Sequence, residues 1–296
     1  MRAAGLIYGR QLHHLDHLAP LCALEELPLI LTDETLCNLA KKFYPDLNVL
    51  HLSEREAPEK LVYHFDTIIY CTPRVLFDQV FYFAQALQNK RIRTIWCPHG
   101  NSDKGRDSPL MEALYEEELL LTYGPHIENF IREKGITAPF HRIGNYRLAY
   151  YEKHRSFYDA LLPPNEKKTI LYAPTWQDGE NNSSFPHVWK QLLHPPEEIE
   201  LMIKLHPHLY HQFPKEIEEL KKEHTLIEDF PPIYPLLAKT DVLVGDRSSI
   251  NYDFLVFKRP LYLIEDLEKG IFQGGVIPST PIEEVFSPYQ SAFELF

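Results

Sequence analysis

The chain has 296 residues, of which 44% are hydrophobic and 24% charged, with a formal net charge of −12. This length exceeds the usual single domain and predicts two domains of about 150 residues each, while the balanced composition excludes a disordered chain. The acidic balance disfavours a nucleic-acid partner, whose phosphates attract a Lys/Arg excess, and argues against simple electrostatic adhesion to anionic lipid.

Short apolar runs alternate with amphipathic stretches along nearly the whole chain. In the first half, residues 5–8, 28–32, 48–52, 67–71, 93–97, 119–123 and 140–143 read as strands, separated by helices such as 35–43, 75–88 and 127–134. That alternation predicts a parallel sheet with crossover helices. A helical stretch over 147–161 then runs into Leu162-Pro163-Pro164-Asn165, and paired prolines punctuate a boundary. The break is expected near 162–166, giving an N-terminal Rossmann-like domain, 1–162, and a C-terminal Rossmann-like domain, 163–296. The second half repeats the scheme with strands at 169–173, 200–205, 225–228, 241–245 and 261–264 and helices around 188–193, 214–223, 235–238 and 250–257. The final segment is expected to cross back to the first domain. The expected fold class is thus α/β, two Rossmann-like domains facing across a cleft.

The four cysteines, Cys22, Cys37, Cys71 and Cys97, form no C-x-x-C pair, so they read as reduced, mostly buried thiols rather than a zinc ribbon or disulfide framework. The amino terminus lacks a basic start with a long apolar run, and no stretch approaches the roughly 18 apolar residues of a membrane span. These features place the chain in the cytoplasm, with at most peripheral contact at the inner face of the cell membrane.

In open α/β sheets ligands bind beyond the carboxyl ends of the strands, so polar residues after strand ends are the site candidates. His99-Gly100 follows the strand at 93–97: His99 suits a proton acceptor near neutral pH and Gly100 allows close backbone approach, against the plainer reading of a loop histidine capping a carbonyl. Thr175 and Trp176 follow the strand at 169–173 and offer a hydroxyl and a stacking face. Lys204-Leu205-His206-Pro207 ends the next strand, with His206 as a phosphate donor within reach of Ser248 and Ser249 if the strands are neighbours. Asp241 to Asp253 contains a strand broken at Gly245-Asp246 and Ser248-Ser249 opening a helix, which reads as an anion seat or as simple helix capping.

His13, His14 and His17, like His206, His208 and His211, are closely spaced, but neither group comes with an H-E-x-x-H arrangement, so no metal site is expected. His13 and His14 follow the first strand and read as solvated histidines at a helix start or as acceptor contacts. No P-loop, no G-x-G-x-x-G after the first strand and no G-x-S-x-G elbow is present.

Taken in order, the His99-Gly100 loop, Ala173-Pro174-Thr175-Trp176, Lys204-Leu205-His206-Pro207 and the segment from Asp241 to Phe254 resemble the motifs of the CDP-glycerol glycerophosphotransferase family. The resemblance spans roughly residues 95–265 and implies a GT-B fold and teichoic-acid-like polymer synthesis. It implies that His99 deprotonates the acceptor hydroxyl while His206, Ser248 and Ser249, with Thr175 and Asp246, hold the donor pyrophosphate. CMP would leave, without metal or cofactor; His13, His14 and Lys104 are acceptor-side candidates. The partners would be CDP-glycerol, or another nucleotide-activated donor, and a hydroxyl acceptor that can be lipid-linked. The chain departs from the family in Asn101-Ser102-Asp103-Lys104, where Thr-Pro and a later Lys are usual, and in Arg247, where Tyr is common. The alternatives are a GT-B glycosyltransferase using a nucleotide sugar, a nucleotide-sugar 2-epimerase, and a non-catalytic GT-B-like binding module.

Overall fold

The computed structural model describes residues 2–101, 113–163, 165–177, 182–266, 271–274 and 281–296. Within these the chain divides into two compact units. The first takes residues up to 154 together with 283–296, and the second takes 155–282.

Strands β1 (Ala3–Ile7), β2 (Leu29–Leu31), β3 (Val49–His51), β4 (Thr67–Tyr70), β5 (Arg93–Trp96), β6 (Leu119–Thr122) and β7 (Phe140–Arg142) form a seven-stranded sheet in the order β3-β2-β1-β4-β5-β6-β7, parallel throughout. β1, β4 and β6 are buried at every position, which is why they read as unbroken apolar runs rather than alternating ones. Local chemistry starts and stops the helices. Asp33 accepts from Leu36 N–H at 2.9 Å to cap helix Glu34–Phe43, while Asn89, at φ 46°, ends helix Arg74–Gln88. That second helix buries Phe77, Phe81 and Ala84 in a cluster with Leu61, Val62 and Ile68.

The terminal residues 283–296 pack on this first unit. The buried Glu25 carboxylate accepts from Tyr289 Oη–H and Ser291 Oγ–H at 2.8 Å and from Ala292 N–H at 3.0 Å. Backbone bonds from Ser287 N–H to Tyr123 O and from Gln290 N–H to Ile143 O extend the seam.

The stretch expected to be one helix over 147–161 is two, Tyr146–Lys153 and Arg155–Leu161, and the units change over between them, at His154 and Arg155. Pro164 lies outside the described residues. In the second unit β8 (Lys168–Tyr172), β9 (Ile199–Ile203), β10 (Val242–Gly245), β11 (Leu261–Asp266) and β12 (Ile271–Gly274) are ordered β12-β11-β10-β8-β9. All neighbours are parallel except β11 and β12. Residues 225–228, expected as a strand, are not one: Ile227 N–H reaches Ile203 O at 2.9 Å, but no ladder follows, and Glu228 turns to pair with Lys221. No described helix is long and apolar enough to cross a membrane, and all four cysteines are free and buried.

Candidate active site

In the second unit β9 lies on one side of β8 and β10 on the other. The crossovers from β8 to β9 and from β10 to β11 therefore run in opposite directions, and a crevice opens beyond the carboxyl ends of β8 and β10. Asp246, 2% exposed, follows β10 there. Its Oδ1 accepts from Thr175 N–H at 2.8 Å, and its Oδ2 accepts from the N–H and the hydroxyl of Ser184, each at 2.8 Å. Because the Ser184 proton points at the carboxylate, the Tyr172 hydroxyl 2.8 Å away is the donor to Ser184 Oγ. Asp246 thus clasps the loops after β8 and β10 together. A carboxylate so placed would repel a phosphate, so its part in a donor site is to set the loops rather than to touch the anion.

The main chain beside it is held as tightly. Asp246 O accepts from Asn251 Nδ2–H and, at 2.7 Å, from Ser248 N–H. Gly245 is required here, since a Cβ would stand 2.6 Å from Asn251 Oδ1. Ser248 and Ser249 are half-buried, and Ser249 enters helix Ile250–Phe254 with no side-chain cap hydrogen bond. Capping therefore does not occupy its hydroxyl. The helix runs for 5 residues before tightening into the turn Leu255–Phe257, so its dipole is small. Hydroxyl and backbone N–H groups are the main source of positive potential at this point.

His206 follows β9, half-buried, and its Nδ1 accepts from His208 N–H at 3.2 Å. A neutral imidazole that accepts at Nδ1 carries its proton on Nε2, so His206 presents a donor. Trp176 stands beside the pair, its ring centroid 6.3 Å from His206 and 5.2 Å from His208. Gln177 N–H donates to Gln212 Oε1 at 3.1 Å and Gln212 Nε2–H returns to Gln177 O at 2.7 Å, which pins the Trp176 loop. Lys204 donates to Phe230 O at 2.8 Å. The expectation that the strands before His206 and Ser248 are neighbours is not met, because β8 separates β9 from β10. Two strand spacings, about 10 Å, lie between their ends, with the Thr175 loop in the gap.

In the first unit, His99 is exposed two residues beyond Cys97, and Gly100 sits at φ 116°, a backbone region that side chains avoid. His13 and His14 occupy the first turn of helix Leu12–Leu24, with His17 one turn on. Their ring centroids lie 6.3, 5.7 and 6.4 Å from that of His99. His14 is buried, not solvated as its place at a helix start suggests. Burial first, then the His13 and His99 rings, holds the His14 imidazole well below its ordinary range. For His17 burial again dominates, followed by the Arg147 guanidinium and the neighbouring rings. Arg147 makes a buried ion pair with Asp16 on the same helix. Asn101 is 1% exposed, with neither Oδ1 nor Nδ2 bonded among the described residues.

The structure thus joins His13, His14 and His99 in one cluster, and Thr175 and Asp246 in another. Lys104 lies outside the described residues. Among those described, no group of three His, Cys, Asp or Glu side chains is arranged to hold a metal. Ser184 and Tyr123 carry no motif signal, being brought in only by tertiary packing, while Asn251 lies inside the Asp241–Phe254 segment but is not singled out there.

Two α/β units with mainly parallel sheets, one with its polar loops at a topological switch point, define a fold of the GT-B class. Solved structures bear out the fold. The wall teichoic acid polymerase TagF matches with a TM-score of 0.58 at 14% identity, over 90% of this chain and 71% of that one. The UDP-GlcNAc 2-epimerase of Neisseria meningitidis matches with a TM-score of 0.57 at 13% identity, over 90% and 83%. Residues 142–270, most of them in the second unit, match the CDP-Glycerol:Poly(glycerophosphate) glycerophosphotransferase family. A teichoic acid glycerol-phosphate primase of Bacillus spizizenii is 38% identical over 148 residues, 45% of this chain and 37% of the relative. That of Bacillus subtilis is 31% identical over 116 residues, 38% and 29%. The matched stretch therefore spans about a third of each relative's length.

Proposed function

We propose that the chain is a transferase that moves glycerol phosphate from CDP-glycerol to a hydroxyl acceptor in teichoic-acid-like polymer synthesis, releasing CMP. His99 takes the acceptor proton, and the alkoxide attacks the glycerol-linked phosphorus. The bond from that phosphorus to the oxygen bridging to CMP breaks, so the charge ends on CMP. His206 through Nε2–H, and Ser248 and Ser249 through hydroxyl and backbone N–H, hold the pyrophosphate, with Thr175 on the loop between them. These donors stabilise the developing charge without a metal. His13, His14 and Lys104 belong to the acceptor side. The acceptor can be lipid-linked, and the chain works in the cytoplasm with at most peripheral contact at the inner face of the cell membrane.

The observation that carries this reading is the Asp246 clasp, which holds the Thr175 and Ser248–Ser249 loops at the switch point inside the family-matched residues 142–270. The test is incubation with CDP-glycerol and UDP-sugars, an acceptor panel, and mass identification of the released nucleotide. CMP is expected, and with EDTA present as well. Release of UDP would move the chain to the glycosyltransferases, and release of nothing, with nucleotide still bound, to the binding modules. Activity lost to EDTA and restored by Mn²⁺ would count against a metal-free seat.

A further inference from the structure

One phenol, Tyr123, touches both the backbone that carries His99 and the ring packed behind it. Its hydroxyl lies 3.1 Å from Pro98 O, 3.0 Å from His17 Nδ1 and 3.1 Å from the Tyr146 hydroxyl, whose oxygen is in turn 3.2 Å from Cys97 Sγ. Tyr123, Tyr146, His17 and Cys97 are all buried, so these contacts are not shared with bulk water.

The protons in this network are set by elimination. A carbonyl has none to give, so Tyr123 donates its only proton to Pro98 O. His17 must then donate from Nδ1 to the Tyr123 oxygen, and Tyr146 must donate to it as well. The Cys97 thiol lies 3.2 Å from the Tyr146 oxygen and 3.7 Å from Pro98 O. The Tyr123 oxygen therefore donates once and accepts twice, and His17 is the Nδ1–H tautomer with Nε2 as its acceptor nitrogen. Around His17 stand His13, His14, His99 and Arg147, and Arg147 is paired with Asp16. A neutral His17 avoids placing a second cation beside that guanidinium.

We infer that Tyr123 and His17 are positioning residues for His99: one hydroxyl fixes the Pro98 carbonyl, and with it the His99 backbone, while locking the His17 ring that packs against the His99 imidazole. This rests on the reading of His99 as the base. It adds that the base is held by a buried phenol–imidazole pair.

Two measurements test it, one independent of turnover. In ¹⁵N-histidine long-range correlation spectra of the whole chain, His17 is expected as the neutral Nδ1–H tautomer; an Nε2–H tautomer would overturn the inference. In the second, CMP release from CDP-glycerol with a short poly(glycerol phosphate) acceptor is followed for Tyr123→Phe. A fall in kcat of about tenfold or more is expected, with KM for CDP-glycerol unchanged and a displaced pH profile, as for a misplaced base. Tyr146→Phe, which removes an equally buried hydroxyl touching neither Pro98 nor His17, should keep its pH profile. If Tyr123→Phe does not fold, His17→Asn and His17→Leu decide: Asn retains a donor toward Tyr123 and should keep most of the rate that Leu loses. Wild-type kinetics in Tyr123→Phe or His17→Leu, with His99→Ala inactive, would sink the inference and leave the base reading standing. Normal turnover in His99→Ala would remove the base reading itself.

Discussion

The loops after β10 and after β5 both place polar side chains beyond a parallel sheet, and they are held in different ways. After β10 an ionised carboxylate, Asp246, gathers two backbone N–H groups and a hydroxyl, so the loop is shaped by one buried anion whose partners are all donors. After β5 the organising group is neutral, the Tyr123 hydroxyl, and the His17 it bonds and the His14 beside His99 are held well below their ordinary range chiefly by burial. A fixed negative charge in the second unit turns donors inward and leaves hydroxyls at the rim. A neutral network in the first unit suits a group that must change its protonation during a reaction. The contrast teaches that neighbouring strand-end loops can be gathered by a buried carboxylate in one unit and by a buried neutral phenol in the other.

The largest effect should come from cutting the anionic clasp. Asp246→Ala strands three buried donors at about 1–3 kcal/mol each, so urea unfolding should report a loss of about 3 kcal/mol or more, with nucleotide affinity falling too. A stability change below about 1 kcal/mol would mean that water replaces the clasp and that the two loops are not differently built. On the neutral side, His99→Ala should fold as before and lower kcat about a hundredfold, about 2.7 kcal/mol, with CDP-glycerol binding nearly unchanged. Donor affinity and stability lost together would return His99 to a structural role.

A third experiment asks whether the first unit accommodates a buried carboxylate, that of Glu117, which has no ion-pair partner among the described residues as close as that of Asp16. Glu117 accepts from Thr94 Oγ–H at 2.9 Å and from the Arg74 N–H, yet burial outweighs these bonds and pushes its carboxyl up to about 7. The folded protein thus holds a proton that the unfolded chain releases near pH 4.5. The stabilisation is complete below the unfolded value and is lost as pH rises through about 7. Glu117→Gln should therefore gain on the wild type as pH rises from 5 to 8, by on the order of 2 kcal/mol in urea unfolding. A difference independent of pH would show a carboxylate already accommodated in the ionised form. The smallest effect is at the rim: Ser249→Ala should weaken CDP-glycerol binding by about 1 kcal/mol by titration calorimetry, one hydrogen bond to a charged group. No change in affinity would leave only backbone N–H groups as the seat.

Strand-like runs were legible where burial on both faces leaves a continuous apolar stretch between turn residues, as in β1, β4 and β6. Helix Leu12–Leu24 was harder to see for the same reason: residues from His14 to Ala23 are buried all round, and Pro20 lies inside, so no polar face marks the helical period. Residues 225–228 have strand composition but only one bond to the β9 edge. β12 pairs antiparallel with β11, a partner that local pattern does not name.

Sequence alone determined the alternation of apolar runs, hence two parallel sheets, and placed His99, Thr175, His206 and Ser248–Ser249 after strand ends, because local periodicity and turn chemistry act over a few residues. Only the structure showed that Gly100 and Gly245 stand where a side chain would strain or clash. Tertiary structure decided which ends are neighbours: β8 between β9 and β10, Asp246 bonded to Ser184, and Tyr123 joining Pro98 to His17. Those contacts link residues far apart in the chain, and a hydrogen bond depends on distance and direction in space, which residue order does not encode.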